Sequence, residues 1–196
     1  MMSKEYVLQN CHLQVVNAQR NRELLREAVS IPLLDLAGIV KVYIHENNCS
    51  CACTVTDTLC RKIGVTTEEI LAAAMSNLEK TSFQIVRVEE FTGDPYIEDE
   101  TMALFVATNE QAFQGASILL HPDKIFGLAE KMGMDLYILP SSIHEVLLIS
   151  ECCGRPEEEL RSMVHTVNET ELQASDYLSD QIYKTDYRKK TIQVCR

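Results

Sequence analysis

The sequence predicts an α/β (α+β) chain: a single mixed β-sheet of about six or seven strands with about five flanking helices. Three observations carry that reading. Thr66 and Glu69 match the T-x-x-E capping box, ahead of Ile70, Leu71, Ala74, Met75 and Leu78 on one helical face. Gly38 to His45 alternates, with Val40, Val42 and Ile44 on one side and Lys41, Tyr43 and His45 on the other. Met102 to Ala107 (MALFVA) is apolar throughout, the pattern of a strand covered on both faces.

Taken in order, Asn17 to Val29 reads as a helix through Leu24, Leu25, Ala28 and Val29, ended by Pro32 because the residue before proline avoids the α region. The half-buried strand from Gly38 reaches a turn at Glu46-Asn47-Asn48 and returns through Cys49, Cys51, Cys53 and Val55, which predicts a hairpin. After the capped helix, Phe83 to Phe91 is strand-like. Glu89 to Glu100 carries six acids and no bases, broken by Gly93-Asp94-Pro95, and reads as a surface loop.

Beyond MALFVA, Gln111 to Gly115 turns the chain into a short apolar strand, Ala116–Leu120. Asp123 caps a helix bearing Ile125, Phe126, Ala129 and Met132, which Gly133 stops. Leu136–Leu139 and Val146–Ile149 are strands flanking the polar corner Pro140-Ser141-Ser142-Ile143-His144-Glu145. Pro156 with Glu157, Glu158 and Glu159 opens a helix whose expected buried stripe is Leu160, Met163, Val164 and Val167. A last helix is expected from Ser175, docked by Leu178 and Ile182, before a basic C-terminal tail over 184–196 with Lys184, Arg188, Lys189 and Lys190. No Gly/Ser-rich linker interrupts the chain, so one domain is expected over 1–196, containing two loosely similar halves at about 1–91 and 101–196.

Composition narrows the function classes. The 196 residues hold 18 basic and 29 acidic side chains, 18 − 29 = −11, which disfavours nucleic-acid binding through a basic surface. With 46% apolar and 24% charged residues the chain has a globular make-up, not that of a disordered, collagen-like or coiled-coil protein. No apolar run approaches the roughly 20 residues that span a bilayer, and MMSKEYVLQN lacks the layout of a secretory signal. The eight cysteines are spaced for packing, since thiols alternating along a strand cannot converge on a metal. Cysteines in this number imply a reducing, cytoplasmic setting, with Cys152-Cys153 as a redox-sensitive loop pair.

The corner Ser141-Ser142-Ile143-His144-Glu145 is the densest polar motif. A hydrolase reading makes Ser142 a nucleophile, His144 its base and Glu145 the orienting carboxylate. No G-x-S-x-G elbow accompanies them, so the favoured reading is a Pro-Ser-Ser turn whose hydroxyls bind backbone N–H groups. Pro140, Ser141, Ser142, Ile143 and His144, with Asn109, are then a surface that binds another protein. Asn17, Asn21, Asn109 and Asn168 sit at element ends, where asparagine bridges backbone groups. H-E-x-x-H, G-x-G-x-x-G and Walker patterns are absent, and no metal or cofactor is expected. A further reading takes Glu89, Glu90, Asp94, Glu98, Asp99 and Glu100 with Glu157, Glu158 and Glu159 as one acidic surface. Such a surface imitates a phosphate backbone and inhibits a nucleic-acid-handling defence enzyme, as small acidic phage proteins do.

Several islands also match a known family. They are Val16-Asn17 with Asn21 and Leu24-Leu25, Asp35-Leu36-Ala37, Thr108-Asn109, Gly115-Ala116 and the LPSSIHE stretch Leu139–Glu145. Met163-Val164 with Val167-Asn168, and Leu178-Ser179-Asp180 with Tyr183, complete them. In order and spacing, from about residue 5 to 190, the chain resembles the bacterial family catalogued as domain of unknown function 5688. The resemblance implies a bacterial protein, either a shortened member or a phage or mobile-element variant, and supplies no activity, substrate or cofactor.

Overall fold

The computed structural model describes residues 3–46, 49–93, 95, 98–99 and 101–195, and the side chains of all of these except His45, Glu46, Cys49, Ser50 and Phe91. The fold is mixed α+β, as expected, but the single mixed sheet is replaced by two sheets of four and six strands. Every strand ladder is antiparallel. The chain divides into two compact units, Met1–Thr81 and Ser82–Arg196.

The first unit runs α1 (Lys4–Asn10), β1 (Cys11–Asn17), α2 (Arg22–Leu25), β2 (Ser30–Leu33), β3 (Leu36–Glu46), β4 (Cys49–Thr54), α3 (Asp57–Ile63) and α4 (Thr67–Glu79). β1 escapes a periodicity reading because all its residues except His12 are buried, which erases the alternation. It nonetheless pairs with β3 from Cys11↔Val42 to Asn17↔Leu36. β2 and β4 both pair with β3, so the expected hairpin is present; its tip, Asn47 and Asn48, lies outside the described residues.

The helix expected over 17–29 contracts to α2. Ala28 and Val29 are drawn into the sheet instead: Val29 N–H donates to Val55 O at 2.9 Å, and Val40 N–H to Val29 O at 2.9 Å. α4 has the expected capping box, with Glu69 N–H on Thr66 Oγ1 at 3.1 Å and Thr66 N–H on Glu69 Oε2 at 2.8 Å. Its face of Ile70, Ala74 and Leu78 is buried. The amide of Asn77 donates to Leu8 O and Cys11 O, fastening α4 to the α1–β1 junction. Cys51 and Cys53 share the Val42 side of the sheet, yet Cys51 is exposed and Cys53 half-buried because, among the described residues, β4 pairs with β3 alone.

The second unit runs β5 (Phe83–Arg87), α5 (Val88–Thr92), β6 (Leu104–Asn109), a 3₁₀ helix (Gly115–Leu120), α6 (Asp123–Met132), β7 (Leu136–Pro140), β8 (Val146–Ser150), α7 (Glu157–Thr170), β9 (Tyr183–Asp186) and β10 (Thr191–Val194). Its sheet order is β10-β9-β7-β8-β6-β5. The MALFVA strand is interior in that order, between β8 and β5, and α6 ends on the left-handed Gly133 as expected.

Further expectations are corrected by the second unit. The strand from Phe83 stops at Arg87, and α5 follows. Ala116–Leu120 is a buried 3₁₀ turn, closed by Ser117 N–H and Oγ donating to Gln114 O at 3.2 and 2.9 Å in place of a ladder. On α7 only Leu160 and Val164 are buried; Met163 and Val167 remain 44% and 42% exposed.

No helix forms from Ser175. Leu178 and Ile182 are buried in a segment without regular structure, which Asn168 holds by donating to Ser179 O at 2.9 Å. Of the residues expected as a tail over 184–196, 184–186 belong to β9 and 191–194 to β10, which form a hairpin. Its turn is gathered by Asp135, which accepts from Tyr187 N–H at 2.8 Å and Thr185 Oγ1 at 3.2 Å.

Candidate functional site

The β7–β8 connection carries the polar corner. β9 pairs with β7 only at Tyr137 and Ile138, so Pro140 lies beyond that ladder and its missing N–H removes no bond to β9. Ser142 then closes the turn. Its N–H donates to Glu145 O at 3.2 Å, its hydroxyl donates to Glu145 Oε1 at 2.7 Å, and it accepts the His144 backbone N–H at 2.9 Å. The hydroxyl is buried in these bonds, which is how a serine stabilises a tight connection.

Ile143 is clamped through its peptide. Its N–H donates to Asp176 O at 2.9 Å, and its carbonyl accepts Ala116 N–H at 3.3 Å. The His144 carbonyl accepts Thr108 Oγ1 at 2.8 Å. Its imidazole Nδ1 accepts the Gln114 backbone N–H at 3.1 Å, which requires that nitrogen to be unprotonated and places the neutral ring's proton on Nε2. Nε2 lies 3.8 Å from Asp176 Oδ1. The imidazole's partners are thus Gln114 and Asp176, whereas Ser142's hydroxyl is bonded to Glu145.

The other wall is the loop from Asn109 to Gly115. Asn109 Nδ2 donates to Phe113 O at 2.8 Å, and Asn109 Oδ1 accepts Phe113 N–H at 3.2 Å. Ala112 and Gln114, on either side, hold left-handed φ values of 48° and 56°, which side chains adopt only when surroundings enforce them. Here the enforcement comes from Asn109 and from Gly115. A Cβ on Gly115 would sit 2.2 Å from Thr108 Oγ1, 2.5 Å from His144 O and 2.8 Å from Asn109 N.

The outcome is an aromatic side chain held out to solvent. Phe113 is 50% exposed, and its ring lies 5.4 Å from the His144 ring at 39°. Sequence reasoning singled out Asn109, Ser142 and His144 but missed Phe113, Gln114, Thr108 and Asp176. A lone aromatic inside the turn-forming run Gln111–Gly115 was a usable signal for Phe113. Asp176, 32 residues after His144, had none.

The acidic residues differ in burial and in place. Glu89 is buried, its carboxylate 3.1 Å from the equally buried Arg87, whose guanidinium lies over the Phe105 ring at 5.8 Å. Glu90, Glu98 and Asp99 are exposed, and bonds from the Thr101 hydroxyl and N–H hold the Asp99 carboxyl below its ordinary pKa. Asp94 and Glu100 lie outside the described residues.

On α7, Glu158 and Glu159 are exposed, Glu159 paired with Arg155. Glu157 is half-buried and accepts the Tyr137 hydroxyl at 3.2 Å. That contact places the α7 acids beside β7, whereas Glu89 and Glu90 extend from β5; β8 and β6 lie between the two strands. Burial, with Glu157 close by, pushes the Cys195 thiol up to about 11.

Among the described residues, no group of three or more His, Cys, Asp or Glu side chains is arranged to hold a metal ion. Nor is any helix among them long and apolar enough to cross a membrane. The model of one family, described as a family of unknown function (DUF5688), matches residues 1–188. No curated protein and no solved structure matches the chain.

Proposed function

The chain belongs to the family of unknown function DUF5688, and on that premise we propose that it acts as a non-enzymatic interaction or regulatory domain in the bacterial cytoplasm. It docks a protein partner through the Phe113–His144 corner and the Pro140–Glu145 turn beneath it. One observation carries this reading: a half-exposed phenylalanine on a loop fixed by Asn109, Gln114 and Gly115. An aromatic that is already ordered loses little freedom on binding, and such residues dominate interface energies. The partners of Ser142 favour a turn over a nucleophile, since its hydroxyl bonds the Glu145 carboxylate and not the imidazole.

The test replaces Phe113 with a photoreactive benzoylphenylalanine in the native cell. The expected result is one discrete protein adduct, absent when Asn109→Ala loosens the loop and absent when the same probe replaces Leu24. No adduct, or the same adducts from Leu24, would overturn the reading.

A second reading, an acidic inhibitor of a nucleic-acid-handling enzyme, draws on the exposed Glu90, Glu98, Asp99, Glu158 and Glu159. It requires capture that weakens steeply with salt, whereas docking through Phe113 tolerates salt.

A further inference from the structure

The first unit carries a polar cluster that the corner does not use. One face of its sheet holds Cys11, Leu13 and Val15 with Val40 and Val42, the side on which Cys11 Sγ meets Ile70 O of α4. Residues directly opposite each other in an antiparallel ladder share a face. The registers His12↔Lys41 and Lys41↔Thr54 therefore place His12, Lys41 and Thr54 in one row on the other face. Gln14, opposite Ile39, is the next residue of β1 on that face, and the Tyr43 ring lies 5.7 Å from His12.

Two groups in this cluster lack what they need. Gln14 is only 6% exposed, and its Oε1 is buried with no hydrogen-bond partner among the described residues. A buried acceptor left unpaired is costly, and water or a ligand usually supplies the donor. Lys41 is half-buried, and among the described residues no carboxylate lies within ion-pair distance of it. In a chain with a net charge of −11 that is notable, since acids outnumber bases 29 to 18. Burial pushes the Lys41 ammonium below its ordinary pKa, with no charge among the described residues to offset it.

We propose that this face of the first sheet is a binding site for a small oxyanion that carries its own hydrogen-bond donor. The anionic oxygens meet Lys41 Nζ, with the Thr54 hydroxyl beside them and His12 at the rim. The ligand's donor meets Gln14 Oε1. A carboxylate with an adjacent hydroxyl and a protonated phosphate share this chemistry. An oxyanion neutralises the partly dehydrated ammonium, and a donor satisfies the orphaned acceptor, so each half answers a separate observation.

The test is an NMR titration of the full chain with glycolate, acetate and inorganic phosphate, following the Gln14 side-chain amide and the His12 ring. Glycolate and acetate carry the same charge, and only glycolate has a hydroxyl. The expected result is saturable shifts, with glycolate about tenfold tighter than acetate; the tighter of glycolate and phosphate identifies the natural class. Lys41→Met weakens every arm about tenfold or more, and Gln14→Met brings glycolate to the level of acetate. Lys131→Met, on the exposed side of α6, changes nothing. A melting curve confirms that each variant is folded, and Lys41→Gln replaces Lys41→Met if the latter is not. No saturable shift in any arm, binding by folded Lys41 variants equal to wild type, or equal affinity for acetate and glycolate would overturn the site.

Discussion

Gln114 and His144, 30 residues apart in sequence, are joined by a hydrogen bond from the Gln114 backbone N–H to the imidazole Nδ1 at 3.1 Å. The bond makes the imidazole part of the loop that carries Phe113. His144 thus works as a strut: one ring edge holds the strained Gln114 peptide, the other faces Asp176, and one ring face supports the aromatic.

Gly115 is the tightest point of this arrangement. Gly115→Ala is expected to destabilise the second unit by about 3 kcal/mol, the upper end of ordinary overpacking. Two of the three atoms that its methyl would strike are backbone, His144 O and Asn109 N, and cannot rotate away. Urea unfolding followed by circular dichroism measures the loss, and a change under about 0.5 kcal/mol would refute the packing argument.

Asn109 and Phe113 should separate stability from recognition. Asn109→Ala removes both bonds to the Phe113 peptide and is expected to cost about 1–2 kcal/mol. Phe113→Ala deletes a side chain already half in water and should change stability by no more than about 0.5 kcal/mol. If Phe113→Ala proved as destabilising as Asn109→Ala, the ring would be a packing element and not a docking one.

The Lys184–Glu151 pair fixes a pH dependence. Burial by itself would raise the Glu151 carboxyl, but Lys184 Nζ at 2.7 Å and the Asp135 N–H at 3.0 Å hold it below the ordinary 4.5. Glu151 in turn holds Lys184 above the ordinary 10.5. A depressed carboxylate stabilises above its unfolded pKa and loses that contribution as pH falls through the folded value; a raised ammonium loses its own as pH climbs past 10.5. Glu151→Gln should therefore cost about 0.5–1 kcal/mol at neutral pH. The gap from wild type should close as pH falls through the lowered pKa of the folded carboxyl. Melting curves across pH read the difference, and a gap that persists in acid would mean that the pair is not its source.

Thiol reactivity is the fourth expectation. Cys51 and Cys152 are exposed, whereas Cys11, Cys60, Cys153 and Cys195 are buried. Iodoacetamide at about pH 8 should label Cys51 and Cys152 in the native protein, because the thiolate reacts and access governs the rate. Cys195, pushed up to about 11, should label only after unfolding. Peptide mapping before and after denaturant decides, and native labelling at Cys195 would show that its burial is transient.

Legibility in the sequence followed the range of the interactions. Thr66 and Glu69 are three residues apart and satisfy each other, so their helix was readable from side-chain chemistry alone. The Pro140–Glu145 turn was readable for the same reason, since Ser142 bonds within its own hexapeptide. The hairpin of β3 and β4 announced itself by alternation on one half-buried face. Cys11–Asn17, buried on nearly every residue, offered no period, and Ala116–Leu120 offered a strand-like apolar run to a segment whose backbone is satisfied by the turn at Gln114. The site was half legible: the turn could be named, but the aromatic that it supports could not.

Local bonding and side-chain period are properties of the chain itself, and they were enough to determine the α+β class, the capped helix α4 and the serine turn. The separation into two antiparallel sheets, the burial of Glu89 against Arg87, and the meeting of Phe113, His144 and Asp176 were decided by the tertiary structure. The cause is physical: a ladder or an ion pair between distant residues forms only when folding brings their backbones together, and neither partner carries a mark of the other in its own neighbourhood.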